Sequence, residues 1–375
     1  MPPRLIVLFV GLLTCLTACA APDRSADQPV DPSGPSRTLD VGNERGALVV
    51  IDPATVDGPL IYLTSNDDED ELVALRAAAP GVEIVPGLDQ TSALALAERA
   101  HGADAHLLTE EFLAAAPRLV WAQSWSAGVE RYLAIPGLAD REGLVLTNAK
   151  GVHGPVIAEH VFALLLHLSR GLGPYGQAYE RGAWERGAGD STSLAGRTLL
   201  VAGMGGIGTE VARRAHAFDM EVLATVRTPR DAPPFVDQLG TADDLDAFLA
   251  RTDVLVICLP LTDETRGLFD ARRLGLLKPG AFVVNIARGG ILDTDALLAA
   301  LDSGHLAGAG LDVTDPEPLP AGHRLWGRED VLVTPHMAGR ATLTGERRAV
   351  LQVENMRRFA RGEPLLNVVD RQAGY

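Results

Sequence analysis

The chain has 375 residues, enough for two ordinary domains with a core each. Hydrophobic residues make up 47% and charged residues 22%, a globular balance, and the net charge of −16 repels phosphate backbones and argues against nucleic acid as a partner. Cys15, Cys19 and Cys258 are the three cysteines, which leaves no disulfide framework and no Cys/His spacing for a metal.

The N-terminus carries Arg4 and then an apolar run from Leu5 to Leu13 that fades into small residues. The run is too short to span a membrane and reads as the core of a signal peptide. "LTAC", Leu16 to Cys19, resembles the lipobox of bacterial lipoproteins. By that resemblance residues 1–19 form a lipoprotein-type signal and Cys19 is the lipidated residue. The chain would then be exported and anchored to a membrane on the periplasmic side, and it would be cytoplasmic if this leader is no signal. Residues 20–46 are rich in Pro, Ser, Asp and Gly and read as a flexible tether.

"ALVVID" and "LIYLTSND" then read as short strands, and "DEDELVALRAAAPG" as a helix stopped at Pro80-Gly81. Strand-like and helix-like runs alternate from there to "QSWSAG", which argues for a parallel sheet with helices on its faces. "GPVIAEHVFALLLHLSRGLG" is the strongest helix, with Ile157, Val161, Leu164, Leu165 and Leu168 at helical spacing, Pro155 in the first turn and Gly171 at its end. A second alternating unit follows, through "GRTLLVAG", "MEVLATVRT", "TDVLVICLP", "AFVVNIARGG", "HLAGAGLDV" and "VLVTPHMAG". The polar residues that carry chemistry sit where these strands end, which is where ligands bind in doubly wound sheets.

"VAGMGGIGTEV", residues 201–211, lies between such a strand and a helix. Gly203 permits the tight turn, Gly205 lets the backbone approach a pyrophosphate, and Gly208 lets the helix pack closely on the strand. With Gly206 and Ile207 they open a helix whose N-terminus offers N–H groups to phosphate. A site for NAD usually has an acid at the end of the next strand. Here that end reads Val226-Arg227-Thr228, with Arg230 behind it. Arg pairs with a 2′-phosphate that a carboxylate would repel, so NADP is the expected cofactor and NAD the alternative.

Arg288 in "NIARGG", Glu317 in "TDPEPLP" and His336 in "TPHMAG" are ionisable residues at strand ends. Taken singly, each has an ordinary reading: a surface ion-pair partner, one acid in a Pro-rich loop, a capped loop histidine. His101, His106, His160, His167 and His216 sit in helical or loop contexts with no visible partner.

Taken together, "GMGGIG", "CLPLTDETRGLF", "VVNIARGGILDTDALLAAL", "AGAGLDVTDPEPLP" and "LVTPHMAGR" resemble the D-isomer-specific 2-hydroxyacid dehydrogenases. "QSWSAGVERYL", "LTNAKGVHGPVIAEH" and "LLNVVDRQAGY" look like the glyoxylate and hydroxypyruvate reductase branch of that family. The resemblance runs from about residue 60 to the end. It implies catalytic roles for Arg288, Glu317 and His336 in reducing a small 2-keto acid or oxidising the matching 2-hydroxy acid. It implies that Asp312 anchors the nicotinamide carboxamide, although a turn-capping aspartate fits the same position. Further cofactor contacts are expected at Leu259, Pro260, Ile286, Ala287 and Gly339. Ser126, Ala127 and Gly128 are expected to offer backbone N–H groups to the substrate carboxylate, against the plainer reading of a strand-to-helix turn. Trp125 and Trp326 line the pocket or belong to the core.

The implied architecture is α/β, with a Rossmann nucleotide domain at residues 154–340 inserted into a flavodoxin-like substrate domain at residues 47–153 and 341–375. A homodimer is implied by the resemblance alone. The corepressors known as C-terminal-binding proteins share this fold, so a cofactor-sensing binding protein without significant turnover is the alternative function.

Overall fold

The computed structural model describes residues 51–371 and Gly374. The expected signal, the tether and Cys19 lie outside the described residues. Ile51 and Asp52, the end of the first expected strand, are not in a strand. The reason is local: Pro53 has no N–H to give a ladder, and the Asp52 carboxylate caps a short helical turn, Pro53–Thr55.

Two parallel sheets follow. The first holds β1 (Leu60–Leu63), β2 (Val82–Val85), β3 (Gly102–Asp104), β4 (Trp121–Gln123) and β5 (Val145–Thr147) in the order β2-β1-β3-β4-β5, the flavodoxin-like arrangement. The second holds β6 (Thr198–Ala202), β7 (Glu221–Thr225), β8 (Gln238–Gly240), β9 (Val254–Ile257), β10 (Ala281–Asn285), β11 (Leu306–Leu311) and β12 (Val331–Val333). Its order, β8-β7-β6-β9-β10-β11-β12, is the Rossmann order with one further edge strand.

Both sheets are covered on both faces, which explains why their strands read as unbroken apolar runs. Leu60 and Tyr62 face one cluster and Ile61 and Leu63 the other. The C-terminal helix Thr342–Arg361 returns to the first sheet and adds Met356 and Phe359 to the side of Leu60 and Tyr62. The rings of Tyr62, Trp121 and Phe359 follow one another at 4.9 and 5.0 Å. In the second sheet Leu199 and Val201 face the helices Gly154–Ser169 and Gly206–Ala217, whereas Leu200 and Ala202 face the opposite core.

The helix Gly154–Ser169 follows β5 of the first sheet but packs on β11 of the second. Small residues make this possible. A Cβ on Gly310 would lie 2.9 Å from Leu164 Cβ, and one on Gly308 would lie 3.3 Å from Leu168 Cδ2. Gly171, at φ +57°, ends the helix where expected and turns the chain into a second helix, Leu172–Glu180. The chain returns to the first sheet near Gly339, where a Cβ would sit 3.1 Å from the His153 ring. Among the described residues the two crossings between the sheets therefore touch.

Candidate active site at the carboxyl edge of the second sheet

The glycine loop leaves β6 beside β9, at the point where the strand order reverses. Gly203 has φ +96°, and its N–H donates to Thr225 Oγ1 at 3.2 Å. The Met204 N–H donates to the Thr225 carbonyl at 2.8 Å, so the loop is moored to the end of β7. A side chain at Gly203 would run into Cys258 O at 3.0 Å, and a Cβ on Gly208 would fall on the Gly203 carbonyl. Gly205 and Gly206 are exposed, nothing lies within 4 Å of a Cβ built on Gly205, and no side chain caps the helix Gly206–Ala217. The loop thus combines an open cradle with unclaimed helical N–H groups, and it fits the phosphates of a dinucleotide.

Leu259 and Pro260 are half-buried on the far wall of this crevice, and Ile286 and Ala287 are buried at the end of β10. Cys258 is half-buried here, and desolvation pushes its thiol up to about 12, which disfavours the thiolate. Arg227, Thr228 and Arg230 are exposed beyond β7. Arg230 Nη2 donates to the Met204 carbonyl at 2.6 Å, which ties one cation to the glycine loop. The Thr262 hydroxyl, and more weakly the Arg227 charge, hold the Glu264 carboxyl below its ordinary range.

Arg288, Glu317 and His336 follow the adjacent strands β10, β11 and β12. His336 Nδ1 lies 2.7 Å from Glu317 Oε1, with both side chains partly exposed. The acid fixes one ring nitrogen, and among the described residues Nε2 has no partner. His336 has φ +50°, an uncommon conformation for a residue with a side chain. It is held there from below. The His336 N–H donates to the Asp312 carbonyl at 2.8 Å. The Asp312 carboxylate accepts from Thr334 Oγ1 at 2.6 Å and from the N–H groups of Met337 and Ala338, both at 2.9 Å. The structure thus gives Asp312, buried at the end of β11, the job of clamping the histidine loop. The anchoring of a carboxamide was expected of it from resemblance.

His160, which shows no partner in the sequence, lies 2.9 Å from Thr334 Oγ1 and supports the same clamp from the helix Gly154–Ser169. Gly339, expected at the cofactor, packs on His153 at the crossing. Trp326 is half-exposed and donates to the Pro320 carbonyl, and Trp125 lies under the Arg348 guanidinium at 4.8 Å, so neither is a core aromatic.

Arg288 reaches the loop after β4. Its guanidinium occupies the space that a Cβ on Gly128 would need. Nη1 donates to the Ala287 carbonyl at 2.7 Å, while Nε and Nη2 lie 3.2 and 3.3 Å from the two carboxylate oxygens of Glu130. Glu130 was not singled out in the sequence, where an acid opening a short helix looks like an ordinary first-turn residue. The expected cluster of N–H groups is smaller than three. The Ser126 N–H is taken by Ser124 Oγ at 3.1 Å, and among the described residues those of Ala127 and Gly128 have no acceptor.

Residues 162–338 match the family model of the D-isomer specific 2-hydroxyacid dehydrogenase NAD binding domain. Glyoxylate/hydroxypyruvate reductase B of Pectobacterium carotovorum is 34% identical over 84% of this chain and 98% of its own length. An NADPH-dependent glyoxylate/hydroxypyruvate reductase from Sinorhizobium meliloti, solved with NADP and sulfate, superposes with a TM-score of 0.70 at 32% identity, over 85% of this chain and 100% of that one. D-3-phosphoglycerate dehydrogenase of Mycobacterium leprae is 35% identical over 81% of this chain, which spans 58% of that longer relative. The chain belongs to the D-isomer specific 2-hydroxyacid dehydrogenase family.

The cradle makes one prediction. In Gly208→Ala the new methyl meets backbone, which has no easy escape, and the loop must shift. We expect NADPH binding, followed by fluorescence titration, to weaken by roughly tenfold or more. Unchanged affinity would show that the loop is no cradle.

Proposed function

We propose that this protein reduces a short 2-keto acid such as glyoxylate or hydroxypyruvate to the matching 2-hydroxy acid, with NADPH preferred to NADH. The His336–Glu317 pair, on the same strand edge as Arg288, carries the reading. A cofactor sensor needs no acid-backed imidazole on the strand edge that also carries an arginine, so the full set favours turnover over the binding-only alternative.

Gly203 to Gly208 would hold the pyrophosphate, and Arg227, Thr228 and Arg230 the 2′-phosphate of the adenosine half. Bound there, a reduced nicotinamide supplies the hydride. The protein supplies the rest. Arg288, with the N–H groups of Ala127 and Gly128, receives the substrate carboxylate and draws charge toward the keto oxygen. His336 Nε2 gives that oxygen its proton, and Glu317 on Nδ1 holds the ring in place. The relatives named for glyoxylate and hydroxypyruvate match over nearly their full length, which supports this substrate class over the phosphorylated one. Turnover with NADPH and NADH, each at limiting concentration, tests the cofactor. We expect kcat/KM to favour NADPH by about tenfold or more, and Arg227→Asp to remove most of that preference. A wild type that prefers NADH overturns the assignment.

Two finer points belong to the same reading. The chain forms a homodimer through the segment after Gly171. Tyr179 is 84% exposed and Trp184 90% exposed, with Leu172 and Tyr175 partly exposed nearby, and exposed apolar side chains in one stretch suit a protein interface. Light scattering should give a dimer mass for the wild type and a smaller one for Trp184→Ser. A monomeric wild type removes the dimer.

The apolar leader ending at Cys19 directs export and lipid attachment. Among the described residues no single helix is long and apolar enough to cross a membrane. Labelling with a palmitate analogue should mark the wild type but not Cys19→Ala, and equal labelling of both excludes that residue as the anchor.

A further inference from the structure

We infer that Glu130 sets the charge that the substrate site accepts: paired with Arg288, it admits a keto acid bearing one carboxylate and an uncharged tail and turns away one bearing a second anionic group. This rests on the proposed reading of Arg288 as the carboxylate receptor.

The geometry comes first. Glu130 takes the Nε and Nη2 edge of the guanidinium with both of its oxygens, and Ala287 takes one proton of Nη1. An arginine has five N–H groups in a fixed fork, so one on Nη1 and one on Nη2 remain for an incoming carboxylate. Gly128 keeps the seat open, since a Cβ there would collide with Nη2 and stand 2.7 Å from Glu130 Oε2. The receptor arginine, the acid and the loop with the two unclaimed N–H groups therefore meet at one point.

The charges follow from this. Glu130 cancels the Arg288 charge before substrate arrives, and Glu317 cancels that of a protonated His336. One substrate carboxylate brings the site to a single negative charge, which the loop N–H groups help to carry. A second anionic group on the tail adds another negative charge beside Glu130. Repulsion there is stronger than in bulk water, because the Arg288 and Glu130 side chains are only 33% and 37% exposed. A half-exposed pair adds little to folding, so the pair can be changed without unfolding the chain. Its contribution lies in selection, as a repulsive element against the wrong ligand.

Oxamate and oxalate test this, because they are nearly the same shape and differ by one charge. Their binding to the full chain in the presence of NADPH is measured by calorimetry. We expect the wild type to bind oxamate more tightly than oxalate by about tenfold, Glu130→Gln to bring the two within roughly twofold, and Glu130→Asp to keep most of the preference. A preference of the same size in wild type and Glu130→Gln overturns the inference. So does a wild type that binds oxalate better, or one that does not bind oxamate. Glyoxylate turnover is measured on the same samples. Its absence counts against the proposed function alone, while the ratio of the two affinities still decides the role of Glu130.

Discussion

The site hangs on a buried carboxylate. Asp312 ends β11, the strand between those that lead to Arg288 and His336, and it takes three hydrogen bonds from the histidine loop and its approach. Its own N–H donates to the Asn285 carbonyl on β10, and its carbonyl receives the His336 N–H. Three strand ends are thus linked by short polar contacts through a single residue. A left-handed conformation at His336 is sustainable because the neighbouring backbone is so firmly held. Placement of the imidazole near Glu317 follows from that hold.

Around this clamp the fold supplies rigidity where the chemistry needs it. The helix Gly154–Ser169 lies on β11, contributes His160 beneath the clamp, and can lie so close because Gly308 and Gly310 carry no side chains. The strand ends are then a rigid platform, while the groups meant for ligands are left in the open: the Gly205 turn, the far nitrogen of His336 and the N–H groups of Ala127 and Gly128. The buried Asp312 carboxylate is satisfied within the protein, and the groups at the edge face outward. A binding site needs that division.

Much of this was legible in the sequence, for physical reasons. The glycine loop declares itself because each glycine answers a separate steric demand, and the structure shows what a side chain would strike at Gly203 and Gly208. Arg288, Glu317 and His336 follow apolar strand runs that end visibly, but each alone reads as ordinary, and it is the family resemblance that groups them. What was missed depends on contacts between distant segments. Glu130 meets Arg288 only because the loop after β4 comes against the end of β10, and no local pattern reports that approach. Asp312 reads as a turn aspartate or a ligand contact until its three donors are seen. Ile51 and Asp52 looked like the end of a strand, and Pro53 with the Asp52 cap decided otherwise.

The meeting of His153 with Gly339 has a mechanical consequence. The backbone passes from one sheet to the other twice among the described residues, and both passages run through this contact. Two strands of chain pinned side by side act as a short axle. Among the described residues no strand ladder joins the two sheets, so a rotation about it would leave the ladders of both intact. The Arg288–Glu130 ion pair joins the loops on either side of that axle, and any such rotation would change its length.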